Sequence, residues 1–580
     1  MTSEQPERPW LKLYDGIPAD VDVPDATMYE MLVASAAARG DRTAFLYLGR
    51  RMGYTELLRE VDACAAAFTA LGVGVGDAVV LSLPNVPAVV IGVYALNKIG
   101  AKAVMTHPLS SGDELTHYIT TTGARWVVTV DLFYRVFHEI AAATHLERLI
   151  IAGVAGYLGL PMRVGYALTR GRKVPPVPAD DPLVLRWDDF MKPGRAQASG
   201  HTGAAYHRPV EPGDTAAILF SGGTTNLPKG IDLSNSSFNA LAVSMIAMTG
   251  ISAENSLLAI LPAFHGFGLG LCIHTVLCVG AHFILVPEFT PAIYIDNLVK
   301  YSPSYIAGVP TLFQALLSNP KFTGVRFEKL KGAFSGGDML SPDLKRRFDT
   351  AIAAQGSPVE LIEGYGLTEC VTGCAISPPG RYRENSMGIP MPGVLIKVAD
   401  SATGEELPYG TEGEICVAGP TLMRGYVNDP EDTAQVLRTH ADGRLWLHTR
   451  DIGTMDPDGY LYFKGRSNRL IKVSGMAVYP VQVEQVLESH PLVNRACAIG
   501  LPDDYQMSVV KAFVVLTDGS LGSDAIRDEL RAYCKEKLIK YAVPRQIEFR
   551  TSLPTTRVGK IAFTELEREE AAKRAAAQAG

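Results

Sequence analysis

Apolar residues recur at three- and four-residue spacing through Met28, Met31, Leu32 and Ala36, and again through Leu57, Val61, Cys64 and Phe68. That period predicts amphipathic helices over most of 26–72. Between them, the apolar run 44–47 predicts a strand. Strands and helices then alternate: 78–83 reads as a strand, 86–100 as a helix and 101–105 as a strand, and 125–130 opens another unit. Such alternation predicts an α/β fold whose sheet is largely parallel and flanked by helices.

The stretch 150–212 breaks this rhythm. Its apolar part, 157–168, is followed by Arg170, Arg172 and Lys173. An insertion packed on the main body, with its basic residues in water, is the favoured reading. The alternative is peripheral membrane contact through 157–173, or a surface that receives an apolar substrate. Alternation resumes through 257–261, 268–279, 283–286 and 306–317. From Leu395, short strands separated by turn signals at Gly404, 408–410 and 456–459 predict a β-rich part. Beyond Arg469 a helix over 481–489, strands over 496–499 and 511–516 and a helix over 524–537 suffice for a separate α+β unit. A charged, Ala-rich helix over 564–577 ends the chain. The expected division is a large domain, 1–467, made of parallel-rich βα subdomains, the insertion 150–212 and the β-rich part 395–467, followed by a small C-terminal domain, 468–580.

A chain of 580 residues is too long for one core, which agrees with that division. The net charge of −7, without a long Lys/Arg stripe, argues against nucleic acid. Eight scattered cysteines (Cys64, Cys272, Cys278, Cys370, Cys374, Cys416, Cys497 and Cys534) fit buried thiols in a reducing cytoplasm. Cys370 and Cys374 have no second pair to complete a metal site. The polar, acidic N-terminus shows no signal peptide, and the apolar runs are too short to span a membrane. The expected location is cytoplasmic.

After the apolar run 216–219, the chain enters Phe220-Ser221-Gly222-Gly223-Thr224-Thr225-Asn226-Leu227-Pro228-Lys229-Gly230. Glycines admit anionic oxygens to the backbone N–H groups, three hydroxyls add donors and Lys229 adds charge, which suits a polyphosphate. A polar turn between two strands would use the same residues. A Walker A loop would need Ser or Thr after the lysine, where Gly230 stands.

Further motifs follow in order: 262–266 (Pro-Ala-Phe-His-Gly), Ser335-Gly336-Gly337, Gly364-Tyr365-Gly366-Leu367-Thr368-Glu369, Thr449-Arg450-Asp451, 465–472 and 554–560. Together with the loop they resemble the adenylate-forming superfamily of acyl-CoA synthetases, luciferases and peptide-synthetase adenylation domains. The version of the loop at Gly222-Gly223-Thr224-Thr225 is most similar to long-chain fatty acyl-CoA synthetases. The resemblance implies activation of a carboxylic acid by attack on the α-phosphorus of ATP, followed by transfer to a thiol.

In that resemblance ATP is held by Ser221, Gly222, Gly223, Thr224, Thr225, Lys229, Gly337, Gly364, Tyr365, Gly366, Thr368, Asp451, Arg466 and Lys560. Tyr365 stacks on adenine, Asp451 accepts the ribose hydroxyls, Arg466 reaches ribose and phosphates, and Lys229 serves the β/γ-phosphates. Glu369 is the expected Mg²⁺ ligand, with Thr368 donating beside it. Lys560 is the expected catalytic cation, joined in catalysis by Lys229, Glu369 and His265. His265 borders the acyl pocket with Gly266, Gly268 and Gly337, and the small residues after the histidine are expected to leave a tunnel for an apolar chain. The C-terminal domain is expected to swing about Asn468, so that Lys472, Ser474 and Gly475 line the approach of the CoA thiol.

The chain departs from the family pattern at Asn226, usually glycine, at Asn235, often histidine, at Arg450, in the middle of a usual Thr-Gly-Asp, and at Asn468, usually Asp or Lys. The expected substrates are a medium- or long-chain fatty acid, ATP and CoA. The alternatives are an acyl-AMP ligase that loads a carrier protein and a catalytically silent acyl- or nucleotide-binding protein. A homodimer is compatible with the sequence.

Overall fold

The computed structural model describes residues 8–153, 157, 176–178, 180–198, 210–220, 228–288, 290–474, 476–503, 505–556 and 560–579. Ser221, Gly222, Gly223, Thr224, Thr225, Asn226 and Gly475 lie outside the described residues, as does 158–173, on which the membrane reading rests.

Among the described residues, two large sheets carry the N-terminal part. One runs in the order Gly425–Tyr426, Gly230–Ser234, Thr215–Phe220, Lys102–Met105, Ala78–Ser82, Trp126–Thr129, Arg148–Ile151 and Val184–Arg186. From Thr215–Phe220 onward its neighbours are parallel. Ala78–Ser82 is buried at every position, which is why it reads as an unbroken apolar run: both faces of a parallel sheet are covered. Val184–Arg186 brings the expected insertion back into the rhythm as a parallel edge strand. Three residues were too short a run to register as a strand. The helix that follows, Trp187–Ala198, packs on Tyr54–Ala70 so closely that a Cβ on Gly194 would lie 1.8 Å from the Ala63 carbonyl oxygen.

The other sheet runs Ile389–Pro390, Gly373–Ile376, Leu361–Gly366, Gly332–Gly336, Tyr305–Gly308, Ser256–Ala259, His282–Leu285, Thr43–Tyr47 and Arg50–Gly53. Its six central strands are parallel. Phe45 stacks on Phe283 across it, with ring centroids 5.2 Å apart. Burying one such ring contributes about 1.5–3 kcal/mol. The helix expected over 268–279 is wound more widely: Phe267–Thr275 is a π-helix, followed by the α-turn Val276–Cys278. Thr275 Oγ1 donates to the Gly270 carbonyl within it at 2.9 Å.

The β-rich part is an antiparallel sheet of Leu395–Ala399, Gly413–Ala418, Leu445–Met455, Leu437–Thr439 and Leu461–Arg466. The last part of the chain has a three-stranded sheet, Val493–Asp503, Met507–Leu516 and Gln546–Phe549, with the helices Pro480–Glu488, Asp524–Lys537 and Phe563–Ala579. Its main core runs from Ile471 to Phe549 and is separate from the large core, which runs from Trp10 to Leu461. Asn468 lies between them, in the turn Ser467–Arg469. No described helix is long and apolar enough to cross a membrane.

Candidate active site

The parallel strands Tyr305–Gly308, Gly332–Gly336 and Leu361–Gly366 end side by side, with Gly308 opposite Ser335 and Gly336 opposite Gly364. A crevice beyond the carboxyl ends of such strands is where α/β sheets take ligands. The chain leaves the middle strand through Gly337 at φ +82°, a left-handed conformation that glycine adopts without strain. The loop beyond it is pinned from below, because Glu363 Oε1 accepts from the Leu340 N–H at 2.9 Å. Burial pushes the Glu363 carboxyl up to about 8, and the nearby charge of Asp338 adds to the effect.

Asp451 faces this crevice from the β-rich part. It pairs in register with Arg466 across the antiparallel strands Leu445–Met455 and Leu461–Arg466, so residues distant in sequence meet at one edge. Arg466 Nε lies 3.0 Å from Asp451 Oδ1. Tyr365 Oη donates to Asp451 Oδ2 at 2.7 Å. Oδ1 is buried and receives no hydrogen bond from the described residues, because the Arg466 contact is an ion pair without hydrogen-bond geometry. Burial raises the Asp451 pKa, and Arg466 opposes that shift.

The turn that presents Asp451 explains the unusual Arg450. This residue has φ +62°, a conformation that costs a side chain roughly 1–2 kcal/mol and that glycine adopts freely. Glu414 holds it there: Oε1 accepts from the Arg450 N–H at 2.8 Å, and Oε2 hydrogen-bonds with His448 Nδ1 at 2.7 Å. Thr449 Oγ1 accepts from the Asp451 N–H at 3.1 Å and donates to Ile415 O at 2.7 Å. The Arg450 side chain points to solvent. Glu414, Cys416 and His448 carry ligand-type atoms within 4.8 Å of one another, but both Glu414 oxygens are engaged in fixing this turn.

Lys560 reaches the same place from the C-terminal unit. Its N–H donates to Thr556 Oγ1 at 3.1 Å, and next to it Ile561 bridges antiparallel to Thr555. Its Cε would lie 3.9 Å from a Cβ on Gly337. Burial lowers its pKa, as does Arg466, while Asp338, Asp451 and Glu369 oppose the shift. His265 is pushed down to about 4 by burial and by the charge of Lys560, so its ring is neutral at neutral pH. The segment before it is fixed by Asn85, which accepts from the Ala263 N–H at 2.9 Å and donates to Leu261 O at 3.0 Å. The C-terminal unit is docked through Tyr479 Oη, which donates to Glu412 at 2.7 Å, and through Arg495, 3.8 Å from Asp338.

Glu369 lies on the short turn Thr368–Cys370, which ends in Val371 at φ +65°. A β-branched residue in that region is an outlier. Tyr426 Oη donates to Glu369 Oε1 at 3.0 Å. Lys229 Nζ lies 4.8 Å from the centroid of the Tyr426 ring and is paired with Asp432, with Asp429 at 3.8 Å.

The expected tunnel gives way to close packing at two of its residues. A Cβ on Gly266 would fall 1.7 Å from Val371 O, and one on Gly268 2.0 Å from Pro262 O. In the direction of the missing side chains, backbone fills the space at these points. Gly366 is similar, since a Cβ there would lie 1.4 Å from Thr372 O, whereas at Gly364 it would make an ordinary 3.5 Å contact with Ala375 O. Lys472 and Ser474 are exposed on the hairpin Ile471–Val473 and Met476–Val478, and no described contact joins them to the Asp451–Lys560 group. Asn235 ties three segments together, since its Oδ1 accepts from the Met28 N–H at 3.0 Å and from Asn97, and its Nδ2 donates to Asp214 O at 3.2 Å. Sequence reasoning missed Glu414, His448, Tyr426, Asp432 and Glu363. Glu414 and Glu363 had a signal, each a charge inside an apolar strand run, Gly413–Ala418 and Leu361–Gly366.

This architecture is shared with known proteins. The AMP-binding enzyme family matches residues 32–427, and the AMP-binding enzyme C-terminal domain matches 482–560. A long-chain-fatty-acid–CoA ligase of Bacillus subtilis (strain 168) is 32% identical, covering 98% of this chain and 99% of the relative. A feruloyl-CoA synthase of Amycolatopsis sp. is 30% identical, covering 91% of this chain and 95% of the relative. Among solved structures, the anthranilate CoA ligase AuaEII in complex with anthranoyl-AMP superposes with a TM-score of 0.82 at 26% identity, covering 96% of this chain and 99% of that one. The chain belongs to the AMP-binding enzyme family and is an adenylate-forming acid–CoA ligase.

Proposed function

We propose that the acid is a medium- or long-chain fatty acid, activated as acyl-AMP and then passed to the thiol of CoA with release of AMP. The observation that carries this reading is Lys560, seated over Gly337 beside Asp451, Arg466 and His265. In the first step a carboxylate oxygen bonds to the α-phosphorus as the bond to pyrophosphate breaks. The Lys560 ammonium is placed to neutralise the carboxylate and the α-phosphate as they meet, a contact that strengthens as charge develops. Asp451 Oδ1, ion-paired with Arg466 but without a hydrogen bond from the described residues, accepts a ribose hydroxyl. Because the Tyr365 hydroxyl is committed to Asp451, its ring is what remains to stack on adenine. Loop 221–227 and Lys229 would take the leaving pyrophosphate. Glu369, a hard oxygen donor, would hold Mg²⁺, which neutralises the phosphate charge when bound.

For the second step, the turn at Asn468 between the two cores is the proposed pivot. Lys472, Ser474 and Gly475 would then turn toward the acyl-AMP to admit the thiol. A fatty acid is favoured by the activity for which the Bacillus subtilis relative is named and by the neutral, half-buried His265 beside an apolar π-helix. An aromatic acid is the competing reading, favoured by the feruloyl-CoA synthase and the anthranilate ligase.

Pyrophosphate release measured over saturated fatty acids of graded length, ferulate and anthranilate, with and without CoA, separates the readings. The expected result is a maximum among medium or long fatty acids, with acyl-CoA as product. A maximum at an aromatic acid would replace the proposed substrate. Accumulation of acyl-AMP that CoA does not discharge would point to a carrier protein as acceptor.

A further inference from the structure

Tyr426 touches both groups expected to handle the polyphosphate of ATP. The strand Gly425–Tyr426 pairs antiparallel with Gly230–Ser234, with Tyr426 opposite Ile231, so it runs alongside the end of the glycine-threonine loop. The Val427 N–H donates to Gly230 O at 2.7 Å and the Met423 N–H to Glu369 O at 2.7 Å, tying this segment to the bases of both groups. The Tyr426 N–H donates to Thr433 Oγ1 at 2.9 Å, which anchors it to the helix Pro430–Val436, where Asp432 stands. From that frame the hydroxyl reaches Glu369 Oε1 and the ring faces the Lys229 ammonium. A cation on the face of a tyrosine ring gains about 0.5–1 kcal/mol where water is near, too little to fix the lysine alone but enough to bias where it points.

We propose that Tyr426 is a positioning residue that sets the Glu369 carboxylate and the Lys229 ammonium relative to each other, and that Asp432 holds Lys229 until the phosphates of ATP take its place. This rests on the reading of the site as an ATP site. Tyr426 itself touches neither acid nor thiol in that arrangement. Its hydroxyl fixes which way the carboxylate faces, its ring keeps the lysine nearby, and Asp432 supplies the charge that the incoming phosphates must outcompete.

The test is calorimetric binding of ATP to the full chain, with Mg²⁺ and with EDTA, beside acid-dependent pyrophosphate exchange. Tyr426→Phe keeps the ring and loses the hydroxyl. It should weaken binding of Mg²⁺-ATP severalfold, leave metal-free ATP binding within twofold of the parent, and in exchange raise ATP KM severalfold while lowering kcat about tenfold. Tyr426→Leu should weaken both forms of binding. Asp432→Asn, which leaves Tyr426 in place, should strengthen metal-free ATP binding about threefold. Equal weakening of both forms by Tyr426→Phe, or parent-like behaviour in both assays, would overturn the assignment, as would weaker ATP binding by Asp432→Asn. An unaltered protein that binds ATP but shows no acid-dependent exchange would instead remove the proposed reaction, and the binding measurements would still decide the role of Tyr426.

Discussion

Asp451 and Lys229 both stand at the crevice as charged side chains, yet they are held in opposite ways. Asp451 is 2% exposed, and its position follows from strand register, from a left-handed turn pinned by Glu414 and from the Tyr365 hydroxyl. Lys229 is partly exposed and paired with an equally accessible Asp432. A pair of that kind contributes on the order of 0–1 kcal/mol, so the phosphates of ATP can displace the aspartate at small cost. In the proposed ATP site, the end at Asp451, assigned to the ribose, is therefore built in advance, where fixed dipoles and charges act without reorganising. The phosphate end is built to exchange partners.

The strongest way to probe that division is to remove Lys560, the cation that reaches the prepared end from the C-terminal unit. Lys560→Ala should slow acyl-AMP formation about 10²–10³-fold, the loss expected when one preorganised charge-stabilising group is deleted. Thioester formation from supplied acyl-AMP should be nearly unchanged, since that step does not use the contact at the α-phosphate. Equal losses in the two half-reactions would reject the assigned role.

A smaller effect tests whether the ribose end owes its order to Glu414. Glu414→Ala strips an acceptor from the Arg450 N–H and a partner from the buried His448. It should cost about 1–3 kcal/mol, with ATP KM raised more than kcat is lowered. Arg450→Gly, which relieves the left-handed arginine, should recover part of both losses in the Glu414→Ala background while leaving ATP KM of the parent unchanged. Additive effects of the two substitutions in urea unfolding and in KM would mean that the turn is held by something else.

The same contrast explains what the sequence could and could not reveal. The alternation of strands and helices was visible because each strand of the parallel sheets is a local apolar run, as at Ala78–Ser82. Tyr365, Asp451, Arg466 and Lys560 could be picked out because they sit in short stretches of distinctive residues, although only strand register puts Arg466 opposite Asp451. Tyr426 and Asp432 act through partners far away in sequence, and nothing in their local surroundings announces the contact, while Glu414 shows as a charge in an apolar run without revealing its distant partner. The glycines after His265 misled for a related reason. A missing side chain looks the same in the sequence whether it admits a ligand or a neighbouring carbonyl, and here Val371 and Pro262 supply carbonyls.

Burial at the prepared end should also leave a mark on stability, the smallest effect considered. The Glu363 carboxyl has a folded pKa of about 8 against an ordinary value of 4.5, because it is buried and faces the charge of Asp338. Between those pH values the folded chain holds a proton that the unfolded chain has released, so stability falls as pH rises through that window. His265 and His274, lowered to about 4 and about 3, work in the opposite sense but only below 6.5, and Glu488, raised to about 7, acts in the same sense as Glu363 but contributes only about a third as much between pH 7 and 8. Of these shifted groups, the interval from pH 7 to 8 thus mainly reports Glu363. The loss expected there is about 1 kcal/mol, or about 1 °C in melting temperature for a chain of this size. Glu363→Gln is neutral at every pH and can still accept from Leu340 through its amide oxygen, so its melting temperature should change less between pH 7 and 8 than that of the parent. Parallel declines in the two proteins would show that the burial of this carboxyl does not set the pH response of the ribose end.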